Sequence, residues 1–261
     1  MTDADFDAIA ASVAATSDRV AYADTSVGQI VVKRQRVARS HWRGRALSAF
    51  ARALGVAPLQ AVPAHGGARG QATEVERLRS LRGAGIRVPE VLHVEREFIV
   101  MRRLAGTSLV HLIERGGREG FAAWVRGLDA IADVHARGGY LSHAFARNFI
   151  ATDSGIAMID FEDDALEVMS LAEAQSRDWI AYLHSTLWIL ERPFEEARVA
   201  LRQRMAGETA AVRDLVERAG RRLAVLRRLP TGRSPWGREV AGARALAHVF
   251  PLPLPATGGS T

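Results

Sequence analysis

Apolar and β-branched residues cluster in short stretches of the N-terminal third, and their spacing predicts strands. Residues 19–36 contain the run Ile30–Val32 after a turn at Ser26–Gly28, as expected for a β-hairpin. Residues 88–94 and 97–101 have the same character and predict a second pair of strands. The N-terminal part is therefore expected to be rich in β-structure.

Apolar residues recur at helical spacing after residue 70 and through most of the second half. Thr73 is predicted to cap a helix, because Glu76 follows at the capping-box position. A basic helix is expected over 43–54, and the Pro/Gly-rich stretch 55–70 predicts a loop. Residues 3–16 predict a short helix or an ordered tail. Further helices are predicted over 108–115, 121–137, 168–190, 194–206, 208–229 and 236–249.

One predicted hairpin, at 149–159, interrupts the helical half. This order of elements predicts an α+β fold with two lobes. The N-lobe is expected at 1–103, with strands, one main helix and a basic insertion at 34–72. The helical C-lobe is expected at 104–250, and the Pro/Gly/Ser/Thr-rich tail at 251–261 is expected to be disordered.

Composition excludes several classes of protein. The chain has 261 residues, of which 48% are apolar, so it can bury a core in one or two domains. It contains no cysteine, which excludes disulfides, thiolate zinc sites, iron–sulfur clusters and a cysteine nucleophile. No apolar run is long enough to predict a membrane span. The acidic start argues against a secretory signal, so a cytoplasmic protein is expected.

The use of cationic residues is strongly biased. Of the 35 lysine and arginine residues, only Lys33 is a lysine, and Asn148 is likewise the only asparagine. Lysine carries a compact point charge whereas arginine carries a planar fork, so the two are not equivalent where shape matters. The lone lysine is therefore a candidate for a site that requires an ammonium group. Chance survival of one surface lysine is the alternative.

Four residues occupy positions that suit phosphoryl transfer. Lys33 ends a predicted strand, and Glu74 opens the helix that follows. Asn148 lies in the loop before the C-terminal hairpin, and Asp160 ends that hairpin. A nucleoside triphosphate needs a cation on its phosphates and hard oxygen ligands for magnesium.

In these segments the chain resembles the protein-kinase-like fold, over roughly residues 19–190. The resemblance is nearest to small atypical bacterial kinases, namely the lipopolysaccharide (Kdo) kinases and the KEOPS-type kinases. It is carried by Val32-Lys33, by residues 74–89, by His135–Asn148 and by the Ile-Asp-Phe-Glu sequence at 159–162.

The resemblance implies a phosphotransferase that uses ATP and Mg²⁺. Lys33 would contact the phosphates, and Glu74 would pair with Lys33 and orient it. Asn148 and Asp160 would bind the metal, with Asp160 also counted as a catalytic residue. Met101, at the boundary between the lobes, is assigned to the nucleotide site.

Each of these residues also has an ordinary structural interpretation. Glu74 could be an ordinary first-turn carboxylate that interacts favourably with the helix dipole, and Glu76 is a competing candidate for the partner of Lys33. Asp160 could be a turn residue at a strand end. The acidic run at 162–164 is more typical of a solvated loop than of a second metal site.

Two residues are candidates for support of the loop that contains Asn148. His135 is expected to pack or form hydrogen bonds at a helix end. Asp178 is expected to open a helix, where it resembles the buried aspartate that supports the catalytic loop of kinases. An ordinary first-turn carboxylate is the alternative for Asp178.

The chain departs from the kinase pattern at two places. The kinase catalytic loop has an aspartate five residues before its asparagine, and this chain has His143 there. It also has no Gly-rich phosphate loop. Three interpretations stay open: His143 acts as the base, no base is required, or the protein is a scaffolding or regulatory pseudokinase that binds nucleotide without transferring phosphate.

A basic stretch follows the predicted strand at Lys33 and suggests the acceptor. It resembles insertions of lipopolysaccharide-core kinases, which implies an anionic small-molecule or glycolipid acceptor, such as a core sugar, and peripheral contact with the inner-membrane surface. A solvated basic face is the alternative. Because aromatic residues are not interleaved with the arginines, a nucleic-acid partner is disfavoured. The basic residues are Arg34, Arg36, Arg39, His41, Arg43 and Arg45.

Overall fold

The computed structural model describes residues 1–36, 57–63, 65–190, 194–224 and 237–250. The predicted helix at 43–54, the basic residues between 39 and 45, and the tail at 251–261 lie outside the described residues. Within the described part the chain has a mixed α+β fold, as predicted, with most of the strands in the N-terminal part and most of the helices in the C-terminal part.

An antiparallel four-stranded sheet with the order β1-β2-β4-β3 forms the N-terminal part. Its strands are β1 (Val20–Thr25), β2 (Gly28–Arg34), β3 (Val91–Val94) and β4 (Phe98–Arg102). Helix α1 (Asp3–Ala15) packs against β1. One face of the sheet buries Ile30 and Val32 against Ile9 of α1. Because side chains alternate along a strand, Val31 and Lys33 of β2 lie on the opposite face.

Helix α2 (Gly67–Gly83) begins six residues before the predicted start. The capping box predicted at Thr73 and Glu76 is therefore wrong, since both residues lie inside the helix. The first turn lies close to the preceding chain: a Cβ atom on Gly70 would come within 2.3 Å of the carbonyl oxygen of His65. The glycines that predicted a loop instead permit this approach.

Helices make up most of the C-terminal part. They are α3 (Leu109–Ile113), α4 (Gly117–Ala136), α5 (Leu171–Thr186), α6 (Phe194–Met205), α7 (Ala210–Leu223) and α8 (Gly237–Val249). Trp124, Trp179 and Tyr182 are fully buried at their centre. The Tyr182 hydroxyl donates to the Trp124 carbonyl at 2.8 Å, which joins α4 to α5. Within the described ranges, no helix has the length and apolar character needed to cross a bilayer.

A small second sheet contains the predicted C-terminal hairpin. Strands β6 (Phe149–Thr152) and β7 (Gly155–Met158) confirm that hairpin. The connector after β4 adds a two-residue strand, β5 (Thr107–Ser108), which the sequence did not predict. Asn148 directly precedes β6, and Asp160 lies two residues after β7.

The segment 57–63 packs on the helical part of the molecule. The Arg177 guanidinium on α5 donates to the carbonyls of Pro58 and Gln60 at 2.9 and 2.7 Å. The same side chain donates to the Ser142 carbonyl at 2.9 Å. One partly buried arginine therefore fixes this segment against the loop that leads to Asn148.

Candidate active site

A cavity of about 420 Å³ lies between the four-stranded sheet and the region of the hairpin β6–β7, and residues of α2 also line it. Apolar side chains come from both parts, including Val31 and Met101 from the sheet and Ile150 and Ile159 from the hairpin region. Charged and polar groups converge on the same cavity, and they include Lys33, Glu74, Asn148 and Asp160. The structure thus brings five of the six predicted site residues to one cavity.

Lys33 is held by carboxylates that come from two distant parts of the chain. Its Nζ lies 2.7 Å from Glu74 Oε1 and 2.9 Å from Asp160 Oδ1. A third carboxylate, Glu162, lies 2.8 Å away. Burial alone would lower the pKa of Lys33, but these carboxylates outweigh burial and hold the pKa above its ordinary value. Lys33 is therefore a charged ammonium group in the site.

Glu74 is the most buried carboxylate of this group, with 3% of its surface exposed. Burial raises its pKa, while the nearby Lys33 ammonium acts in the opposite direction. Glu76, the competing residue, lies on the exposed side of α2. Of the two glutamates, only Glu74 reaches Lys33.

Asp160 and Asn148 are positioned by the backbone around the hairpin. Asp160 has a φ of 73°, a left-handed conformation that aspartate tolerates better than most residues. The Ile159 amide donates to the Asn148 carbonyl at 2.9 Å and ties the two ends of the hairpin together. The Asn148 side-chain amide donates to the His143 carbonyl at 3.1 Å, so its amide oxygen is the atom able to bind a metal.

Glu162 belongs to the site, although the acidic run at 162–164 suggested a solvated loop. It is only 7% exposed and forms ion pairs with Arg19 and with Arg36, besides Lys33. The sequence offered no local signal for this position, because Asp160 has a left-handed backbone and the alternation of a strand does not continue through it.

Three carboxylates of the site could hold a cation. One oxygen each from Glu74, Asp160 and Glu162 lies within 4.8 Å of the others. Asn148, which the resemblance to kinases pairs with Asp160 for this role, lies along the same cavity. The chemistry of this donor set, carboxylates with an amide oxygen, fits a hard divalent cation.

His143 lies beside this cavity rather than in its lining. Its Nδ1 is 3.2 Å from Asp163 Oδ2, and its ring stacks on Phe145. Burial, with the nearby Arg177 guanidinium, lowers the pKa of His143 to about 4, so the imidazole is neutral near pH 7. Burial raises the pKa of Asp163 to about 6, with Glu162 and Asp160 acting in the same direction.

Asp178 supports the loop before His143 from the middle of a helix. It was expected to open a helix, but α5 begins at Leu171 with a capping box from Ser170. Asp178 is completely buried, and its Oδ2 accepts the Leu141 amide at 2.6 Å. The helix predicted over 168–190 is thus confirmed as α5, and Asp178 lies in its interior rather than at its start.

A buried histidine lies between two acids behind this loop. His135 Nδ1 is 2.6 Å from Glu208 Oε1, and its Nε2 is 3.3 Å from Asp178 Oδ2. Burial would lower the pKa of His135, but the two carboxylates raise it to about 9. His135 is thus a buried cation that joins α4 to α5 and to the turn before α7.

The basic stretch beyond β2 is described only in part. Arg34 donates to the carbonyls of Asp18 and Thr16 at 2.7 and 2.8 Å, so it serves the fold near the N-terminus. Arg36 points to Glu162, at 3.5 Å. The remaining basic residues of the stretch lie outside the described ranges.

Comparison with known proteins gives no family for this chain. A scan against protein-family models finds no match. A search of curated proteins finds no significant relative.

Proposed function

We propose that the protein binds ATP with Mg²⁺ in this cavity and transfers the terminal phosphoryl group to a hydroxyl of an anionic, non-protein acceptor such as a core sugar of lipopolysaccharide. The observation that carries the proposal is the position of Lys33. It is the only lysine of the chain, it forms ion pairs with Glu74 and Asp160, and it borders the cavity.

The cavity suits a nucleotide in size and in lining. Its volume falls in the range of small-molecule sites. Val31, Met101, Ile150 and Ile159 offer apolar surface for a base, and Lys33 offers a positive charge for phosphates. This division of apolar and charged surface supports the kinase-like interpretation of the sequence.

Asp160 and the amide oxygen of Asn148 would hold the metal, and Glu162 could add a third oxygen. Bound there, Mg²⁺ would neutralise charge on the phosphates. Lys33 would keep the phosphates in position, and Glu74 would hold Lys33. In the transfer, a bond forms between the acceptor oxygen and the phosphorus, the bond to the leaving diphosphate breaks, and the hydroxyl proton moves to a base.

The region around His143 suits an anionic acceptor. His143 replaces the usual aspartate, and as a neutral imidazole it can accept a proton through Nε2 while Nδ1 faces Asp163. The guanidinium groups of Arg177 and Arg147 lower the pKa of His143 by their positive charge. The same charge would attract an acceptor that carries phosphate or carboxylate groups.

A second function, nucleotide binding without phosphoryl transfer, is favoured by the histidine itself. A pKa of about 4 makes His143 a weak base near pH 7, and no carboxylate occupies its position. Under this alternative the protein is a pseudokinase with a scaffolding or regulatory role.

The test is to titrate the purified protein with ATP and Mg²⁺ and to measure both binding and transfer of labelled phosphate to phosphorylated sugars and core oligosaccharides. The variants are Lys33→Ala and Asp160→Asn, with Arg137→Ala as a control because Arg137 pairs with Asp133 on the surface. We expect binding and transfer that depend on Lys33 and Asp160. Binding without transfer to any acceptor supports the second function, and absence of binding refutes both.

A further inference from the structure

The turn between β1 and β2 is braced by an internal carboxylate. Both oxygens of Asp5 are used: Oδ1 accepts the Ser26 amide and Oδ2 the Ser26 hydroxyl, each at 2.7 Å. Asp5 also accepts the Thr2 amide at the start of α1. In kinases this turn is the Gly-rich loop that covers the phosphates. Here an internal anion already engages the Ser26 amide, so the turn is poorly suited to hold a nucleotide's phosphates.

Three cations converge instead at the end of β2. Lys33, Arg19 and Arg36 all form ion pairs with Glu162. Arg19 and Lys33 also line the cavity, whereas Arg36 and Glu162 line a small adjoining pocket that Arg19 and Lys33 border as well. The Arg19 side chain is anchored because its Nε donates to the Arg34 carbonyl at 3.1 Å. Its guanidinium group is therefore held at the end of the cavity that Lys33 occupies.

The two guanidinium groups remain within reach of solvent. The side chains of Arg19 and Arg36 are 32% and 30% exposed, whereas that of Glu162 is 9% exposed. A guanidinium fork binds phosphate and carboxylate with the same bidentate geometry. The Glu162 carboxylate thus marks a place where an oxyanion is bound by three cations at once.

We propose that Arg19 and Arg36, together with Lys33, bind the terminal phosphates of the nucleotide and take the place of the missing Gly-rich loop. This inference rests on the proposed nucleotide binding and adds the residues that recognise the phosphates. On binding, the two arginines exchange Glu162 for phosphate oxygens. Glu162 therefore competes with the phosphates when no metal is present.

The test compares the affinities of ATP and adenosine by calorimetry in EDTA, so that no metal contributes. In the parent protein we expect ATP to bind more tightly than adenosine. Arg19→Ala is expected to lower the affinity for ATP about 10- to 100-fold, which corresponds to the loss of a charge-assisted hydrogen bond. The affinity for adenosine should be unchanged. Arg36→Ala should act in the same direction, and Arg19→Lys should retain part of the preference for ATP.

Arg103→Ala is the matched control, because Arg103 lines the same cavity at its other end. The Arg103 amide donates a hydrogen bond to the Gln29 carbonyl. Gln29 precedes Lys33 by four residues on β2, so the two residues are roughly 13 Å apart along the strand. This variant should keep the ratio of ATP to adenosine affinity. Glu162→Gln, which retains the side-chain shape, should raise the affinity for ATP in EDTA.

The outcomes separate this inference from the proposed function. If ATP binds and neither arginine variant changes its preference over adenosine, the inference is wrong while nucleotide binding stands. If the parent protein binds no nucleotide either in EDTA or with Mg²⁺, the proposed function fails and the inference fails with it; if ATP binds only with Mg²⁺, the inference alone is wrong. Circular dichroism checks the fold of each variant, and if Arg19→Ala does not fold, Arg36→Ala and Glu162→Gln decide the question.

Discussion

Replacement of Lys33 by methionine tests the buried charge cluster without any assumption about function. Methionine has a similar length and no charge, so Lys33→Met leaves the carboxylates without their shared cation. Glu162 keeps its contacts with Arg19 and Arg36, and the Asp160 side chain is 43% exposed. The loss of stability therefore comes mainly from Glu74, which is 3% exposed and is left buried without its cation.

Removal of one partner from a buried ion pair costs about 3–5 kcal/mol. We expect Lys33→Met to lower the free energy of unfolding by about 3 kcal/mol at pH 8, the lower end of that range, because the cavity admits some water. The loss should shrink as the pH falls. Without Lys33 the folded-state pKa of Glu74 lies above its unfolded value, so the penalty is present above the folded pKa and disappears when Glu74 takes up a proton.

The assay is urea unfolding followed by circular dichroism at several pH values between 5 and 8. The double variant Lys33→Met/Glu74→Gln is the control, because it removes the unpaired charge. It should be more stable than Lys33→Met at pH 8 and should show a weaker dependence on pH. The reasoning is refuted if Lys33→Met loses the same stability at pH 5 and pH 8, or if Glu74→Gln gives no recovery in the double variant.

Three further predictions concern the scaffold behind the site. Protonated His135, whose pKa is raised to about 9, stabilises the fold fully below its unfolded pKa of about 6.5, and this contribution should be lost as the pH rises through about 9. Urea unfolding from pH 6 to 10 measures the loss, with His135→Gln as the control. A parent protein whose stability declines no more than that of His135→Gln would contradict the prediction. Gly127→Ala should destabilise the fold by about 1–3 kcal/mol in thermal unfolding, because the new Cβ would lie 2.0 Å from the Tyr182 hydroxyl; an unchanged melting temperature would show that the helices move apart freely. Arg177→Met should cost about 2 kcal/mol and raise hydrogen exchange within 57–63, and unchanged exchange there would mean that other contacts hold this segment.

The parts of the fold that depend on local pattern could be predicted from the sequence. The β-branched run Ile30–Val32 after a turn predicted β2, and the two short apolar runs after Asn148 predicted the hairpin β6–β7. Their ends position the site residues: Lys33 lies one residue before the end of β2, Asn148 directly precedes β6, and Asp160 lies two residues after β7. Strand pairing needs only neighbouring residues in these hairpins, so local sequence carries enough information.

Features set by distant contacts were missed for a physical reason. The start of α2 depends on backbone contacts with the preceding chain, and its glycines have a low helix propensity in isolation. Glu162 sits in an acidic run that water would normally solvate. It is buried only because Arg19, 143 positions earlier in the chain, and Lys33 reach it through the fold.

The retention of a single lysine at this site has a structural explanation. Lys33 contacts three carboxylates at 2.7–2.9 Å through one nitrogen, which an ammonium group can do because its three N–H groups radiate from a point. A guanidinium fork spreads its donors over a plane, so it cannot bring three carboxylates to a single nitrogen. Arg19 and Arg36 illustrate the difference, since each pairs with Glu162 from the edge of the cluster. A chain that otherwise uses arginine therefore has a geometric reason to keep lysine at the one position where three acids converge.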